Sequence, residues 1–204
     1  MKLAASILAG TLLAACGGNV RTTEMVRYDF GDLAVQTAQA GPGLRVPIAA
    51  VDVQAASWLA GPALHFRLAY AEPLRRQSYA ESRWAAPPAE LLEAFLKRRI
   101  AFAQPEFSGA GCRLQLVMDE LEQRFDDPQK SRVVLEVRAL LTRSRGAEPL
   151  AQRAFVVQQA APTPSAAGGV AATRDAVQAL AGDLGGWLDG IARAKPAIVE
   201  SCRT

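Results

Sequence analysis

Hydrophobic and polar residues alternate along this chain with two different periods. The period of two dominates the first and central parts. "MVRYDFG" (25–31) reads as a first strand, and "GDLAVQTAQAGPG" (31–43) as a loop by its glycines and Pro42. In "LRVPIAAVDV" (44–53) the apolar set runs Leu44, Val46, Ile48, then shifts to Val51 and Val53. A one-residue phase shift in a strand predicts a bulge, and Pro47, which has no N–H to give a ladder, belongs at an edge or bulge. "SWLAGPALHFRLAYAEPLRRQSYAESRW" (57–84) predicts a hairpin turning at Glu72-Pro73. Leu64, Phe66, Leu68 and Tyr70 take one face; His65, Arg67 and Ala69 take the other.

The clearest hairpin joins 111–125 to 131–143, with Cys112, Leu114, Leu116 and Met118 facing Val133, Leu135, Val137, Ala139 and Leu141 across the turn "DDPQK". A further strand covers 149–159, followed by the loop "AAPTPSAAGG".

Helical spacing occurs twice. In 87–103, Leu92, Phe95, Leu96 and Ile100 form a stripe, and Pro87 and Pro88 suit a first helical turn. In 170–194, Val177, Leu180, Leu184, Trp187, Leu188 and Ile191 lie on one side. Gly182, Gly185 and Gly186 weaken that helix by about 1 kcal/mol each relative to Ala, a cost that a close backbone approach would explain. A short tail carrying Cys202 ends the chain. The order of elements predicts an α+β, two-layer sandwich, with a mostly antiparallel sheet and two helices packed on one face.

The first residues break this pattern. Leu3 to Ala15 carry no charge behind Lys2. Such a run has the size of a secretory h-region and falls short of the ~20 residues a membrane-spanning helix needs. "LLAACGG" (12–18) resembles the lipobox of bacterial lipoproteins. That resemblance implies cleavage before Cys16, a diacylglyceryl thioether on its sulfur and acylation of the new amine. The chain then divides into a signal peptide (1–15), a lipidated tether (16–25) and a single domain (26–204).

Of the 204 residues, half are apolar, so a real core is expected and global disorder is not. The 23 basic and 20 acidic side chains are nearly balanced and scattered, with Arg75-Arg76 and Lys97-Arg98-Arg99 the only basic clusters; nucleic acid is not an expected partner. With Cys16 lipidated, Cys112 and Cys202 remain. In an oxidising compartment an even pair tends to close as a disulfide; two separate buried thiols are the alternative.

Chemistry is conspicuous by what is missing. One histidine, His65, cannot build the usual His/Cys zinc site, and there is no Gly-x-Ser-x-Gly elbow, GxGxxG or phosphate loop. The acidic run Asp119, Glu120, Glu122, Asp126 and Asp127 reads as a solvated hairpin end. No catalytic residue, no metal site and no cofactor beyond the covalent lipid are expected.

The stretch from Tyr28 to Leu96, with "VDVQAASWL" and "SRWAAPPAELLEAFL" behind a lipobox, resembles the ABC-type transport auxiliary lipoprotein family. Ala86 stands where the family often has an acid. The resemblance implies a non-enzymatic outer-membrane lipoprotein on the periplasmic face, serving an MCE-domain protein and its ABC transporter or permease in intermembrane lipid transport. Gly17 is not the Asp that retains lipoproteins in the inner membrane, and so favours the outer-membrane inner leaflet. Trp58, Arg75, Arg76 and Trp84 are candidate partner contacts; core packing for the tryptophans and plain solubility for the arginines are the competing readings. A homo-oligomeric ring is a further expectation. A periplasmic lipid-binding carrier, with a pocket between sheet and helices, and an envelope hydrolase using His65 are the alternatives.

Overall fold

The computed structural model describes residues 24–31, 44–104, 109–146 and 148–203. The expected signal peptide, Cys16, the tether up to residue 23 and the loop beyond Gly31 lie outside the described residues.

Seven strands form one sheet: β1 (Val26–Tyr28), β2 (Ile48–Ala55), β3 (Ala63–Leu68), β4 (Gln77–Trp84), β5 (Cys112–Asp127), β6 (Lys130–Thr142) and β7 (Pro149–Ala160). The helices are α1 (Pro88–Ala103), α2 (Ala166–Ala194) and α3 (Pro196–Arg203). The strand order is β1-β4-β3-β5-β6-β7, with β2 also paired to β5. The architecture is α+β. The two longest ladders, β5/β6 and β6/β7, are antiparallel, whereas β1/β4, β2/β5 and β3/β5 are parallel, so the sheet is mixed.

β2 and β3 run end to end along the same edge of β5. Ala55 pairs with Met118 and Phe66 with Gln123. Residues 56–65 are thus inserted opposite only 119–122, and they leave the ladder as a short 3-10 turn, Ser57–Leu59. Leu59 points into the core from that turn while Trp58 points out. The bulge expected from the phase shift in 44–53 occurs as a register shift between Ile48 and Ala50. Pro47 sits just before β2 and accepts from the Cys112 N–H with its carbonyl at 2.8 Å.

A second bulge, between Met118 and Glu120, changes the phase of β5. Before it Cys112, Leu114, Leu116 and Met118 are buried; after it Leu121, Gln123 and Phe125 are. These residues, with Val51, Leu135, Val137, Ala139, Leu141, Phe155 and Val157, make the covered face of the sheet. α1 packs on it through Leu92, Phe95 and Leu96, and α2 through Ala172, Ala176, Val177, Leu180, Leu184, Leu188 and Ile191. Trp187 meets Phe155 edge-on with ring centroids 6.0 Å apart.

Three details differ from the sequence reading. The tail is a third helix: α3 buries Val199 and Cys202, because the disulfide of Cys202 with Cys112 (Cα–Cα 4.8 Å) clamps it against the start of β5. Secondly, α2 begins four residues earlier than the loop composition suggests. Ser165 caps it, accepting from Gly168 N at 3.2 Å. Gly168 and Gly169 lie inside the helix because space, not flexibility, demands them: a β-carbon at 169 would stand 2.7 Å from Gln123 Cδ. By contrast, an added β-carbon at Gly182, Gly185 or Gly186 meets nothing within 4 Å, so no close approach explains those three. Thirdly, Tyr70 falls beyond the end of β3, in the turn, and is exposed.

Candidate docking surface

Alternation along β5 sends Glu120, Glu122 and Arg124 to the face opposite the helices, and β3 adds His65 and Arg67 there. Arg76, just before β4, reaches the same acids. The acidic run therefore ends up interleaved with arginines. Glu122, fully covered, accepts from Arg67 Nε at 3.0 Å and from Arg124 Nη2 at 2.6 Å. Arg76 makes a two-pronged pair with Glu120, at 2.7 and 2.5 Å. Farther along the same face Arg138 pairs with Asp119 at 2.6 and 2.7 Å, Arg132 with Asp126, and Arg113 Nε lies 3.5 Å from Asp52. Among the described residues no group of His, Cys, Asp and Glu could hold a metal ion.

Burial by itself pushes the Glu122 carboxyl up, but Arg67 and Arg124 outweigh it and hold the group below the ordinary carboxylate value. The Glu120 carboxylate raises Arg76. His65 is lowered, first by burial and then by the Arg76 charge, although the main chain of Gln77 and Trp58 pulls the other way.

Beneath the N-terminus of α2 lies a neutral polar cluster. Tyr79, whose phenol burial pushes up to about 12, donates to Gln123 Oε1 at 2.9 Å. Gln123 Nε2 in turn donates to Ser131 Oγ at 2.8 Å. The gap there, lined by Leu64, Tyr79, Trp84 and Thr173, measures about 10 Å³. That is room for one water, not for an acyl chain. Two other hollows, of about 370 Å³ between β7 and the end of α2 and about 420 Å³ between β1 and its start, are open grooves.

The four candidate partner residues separate. Trp84 is only 3% exposed and packs edge-on against Phe30, ring centroids 5.4 Å apart; it is core and offers a partner nothing. Arg76 is half-buried and held by Glu120, so it shapes the open face instead of reaching out from it. Arg75 is exposed at the β3–β4 turn, paired with Glu72 at 3.1 Å. Trp58 is 56% exposed on its 3-10 turn, next to His65 at the margin of the charged face. Sequence reasoning missed the arginine–acid carpet, although β5 and β6 alternate acids and arginines opposite their apolar residues, which is its signal in the sequence.

Among the described residues no helix is long and apolar enough to cross a membrane. The family model described as ABC-type transport auxiliary lipoprotein component matches residues 28–185. No curated protein matches the chain. A crystal structure of protein XCC0632 from Xanthomonas campestris is similar in fold, with a TM-score of 0.63 at 21% identity over 72% of this chain and 86% of that one. A crystal structure of an uncharacterised protein gives 0.55 at 16% identity, over 83% of this chain and 97% of that one.

Proposed function

The chain belongs to the ABC-type transport auxiliary lipoprotein family, and from that premise we propose that it is a non-enzymatic docking lipoprotein. Acyl chains on Cys16 hold it in the inner leaflet of the outer membrane. Its folded domain binds a periplasmic MCE-domain protein, and so positions the far end of a lipid-transport bridge driven by an ABC transporter or permease. Assembly into a ring is part of the same proposal.

The observation that carries the docking reading is Trp58. A half-exposed indole sits on a turn that Leu59 pins to the core, beside a face of paired charges. Aromatic anchors with a polar surround are where binding energy concentrates at interfaces. The carrier reading gains nothing from the gap beneath α2, which is too small for lipid. His65 faces Arg76 and Glu120 rather than a nucleophile paired with it.

A photo-crosslinking residue at position 58 tests this in cells. The expected product is a covalent adduct with an MCE-domain protein, lost when Trp58 is left in place and the crosslinker is moved to Gln54. Adducts with no envelope transport protein, or equal adducts from both positions, overturn it. Fractionation of Cys16→Ser tests the anchor separately: the substituted protein is expected in the soluble periplasmic fraction.

A further inference from the structure

We propose that the β3–β4 turn is a second membrane contact, a lipid-surface wedge that fixes the orientation of the domain against the bilayer holding Cys16. The proposal rests on the anchoring of Cys16 stated above.

Chain direction carries the argument. β1 runs parallel to β4, with Val26 opposite Ser82 and Tyr28 opposite Trp84. Going backwards from Val26, the chain therefore leaves the domain toward the start of β4 at Gln77, which is the end where the β3–β4 turn projects. From the level of Ser82 to that of Gln77 is roughly 17 Å of strand. Nine residues lie between Cys16 and Val26, and fully extended they reach about 35 Å. The anchor and the turn therefore address the same bilayer surface.

The turn is built to present apolar side chains. Leu74 is 95% exposed and Tyr70 47%. Neither is presented by a loose loop: Glu72 N and Ala71 N donate to Leu68 O at 2.7 and 3.1 Å, Arg75 N to Glu72 O at 3.0 Å, and Arg67 Nη1 reaches back to Pro73 O at 2.9 Å. A held leucine without a neighbour, beside a tyrosine and an arginine, has the make-up of an interfacial contact: the apolar group enters the acyl boundary, the phenol stays at headgroup level, and Arg75 keeps its charge in water. Charges at this end nearly cancel, with Glu72, Asp126 and Asp127 against Arg75, Arg76, Lys130 and Arg132. Insertion is thus apolar, and weakly sensitive to salt and to anionic lipid. Trp58 precedes β3 and lies next to His65, outside the turn.

The test uses the full mature lipoprotein carrying Leu74→Cys, whose thiol is free while Cys16 is lipidated and Cys112 and Cys202 are bonded to each other. It is labelled with an environment-sensitive fluorophore and reconstituted in vesicles of phosphatidylethanolamine and phosphatidylglycerol; Ser57→Cys serves as the distant control. The expected result is a several-fold rise and blue shift at position 74, quenched by spin-labelled lipid and not by aqueous iodide, with no change at 57. Tyr70→Asp added to Leu74→Cys should diminish the shift. Protein that floats with the vesicles while its position-74 label stays in water overturns the wedge and leaves the anchor standing. A shift that appears only on adding a protein partner overturns the wedge in the same way. Protein that does not float overturns both.

Discussion

A β-carbon added to Gly168 would stand 2.9 Å from the carbonyl carbon of Thr163 and closer still to its oxygen. The atoms in the way are backbone, so they cannot swing aside. Alanine is ordinarily favoured over glycine inside a helix by about 1 kcal/mol, yet Gly168→Ala should destabilise the protein by about 1–3 kcal/mol, because crowding outweighs propensity. Gly182→Ala and Gly186→Ala, with open space around them, should each stabilise by roughly 0.5–1 kcal/mol. Urea denaturation midpoints decide the matter, and opposite signs within one helix are the expected outcome.

Glu122 is the hub of the open face. Glu122→Gln keeps the shape but leaves Arg67 and Arg124 without their anion. Breaking a buried pair from one side costs about 3–5 kcal/mol, and we expect the lower end because both arginines keep some access to water. Arg138→Gln, which breaks an exposed, solvent-screened pair with Asp119, should shift stability far less. Equal losses from the two substitutions would argue against the hub.

Acid should weaken the fold in two stages. The folded His65 binds its proton less readily than the unfolded chain does. Stability from it is complete above the ordinary pKa of 6.5 and is lost as the pH falls below that value, toward the lowered folded one. Glu122 repeats this below its ordinary 4.5, as the carboxylate is protonated and its hold on the arginines lapses. His65→Gln should flatten the first stage and leave the second. Denaturation midpoints followed across a pH series read both.

Joining Cys112 to Cys202 closes a separation of 90 residues, which on the chain-entropy account stabilises by about 4–5 kcal/mol at most. Cys202→Ser should lower the denaturation midpoint and expose α3 to protease while β5 and β6 keep their amide-exchange protection, since those two strands pair along their length independently of α3. Uniform loss of protection would show that the bridge holds the whole fold.

Much of the fold can be read without coordinates, and the reasons are local. Val133, Leu135 and Val137 alternate against charged or apolar neighbours in a way only a pleated strand satisfies, and Leu92, Phe95 and Leu96 can share one side only on a helix. The turns at Pro73 and Asp127 follow from their own residues. Tyr70 escapes its pattern because alternation says which side a strand residue faces, not where the strand ends. Trp84 and Trp58 look alike in sequence, each following a polar residue near a strand end. Phe30 and α2 bury one, whereas the inserted 3-10 turn expels the other, and neither influence is near in sequence.

The amino-acid order by itself determined the strands, the two long helices, the α+β class and the absence of familiar catalytic motifs, because each depends on neighbours within a few residues. Tertiary structure decided that β2 and β3 share one edge of β5, that five acids and their arginines pair into a carpet, and that β1 runs parallel to β4, so that it begins at the end of the sheet that carries the β3–β4 turn. Those facts depend on which distant strands lie side by side and in which direction they run, and periodicity carries no information about either.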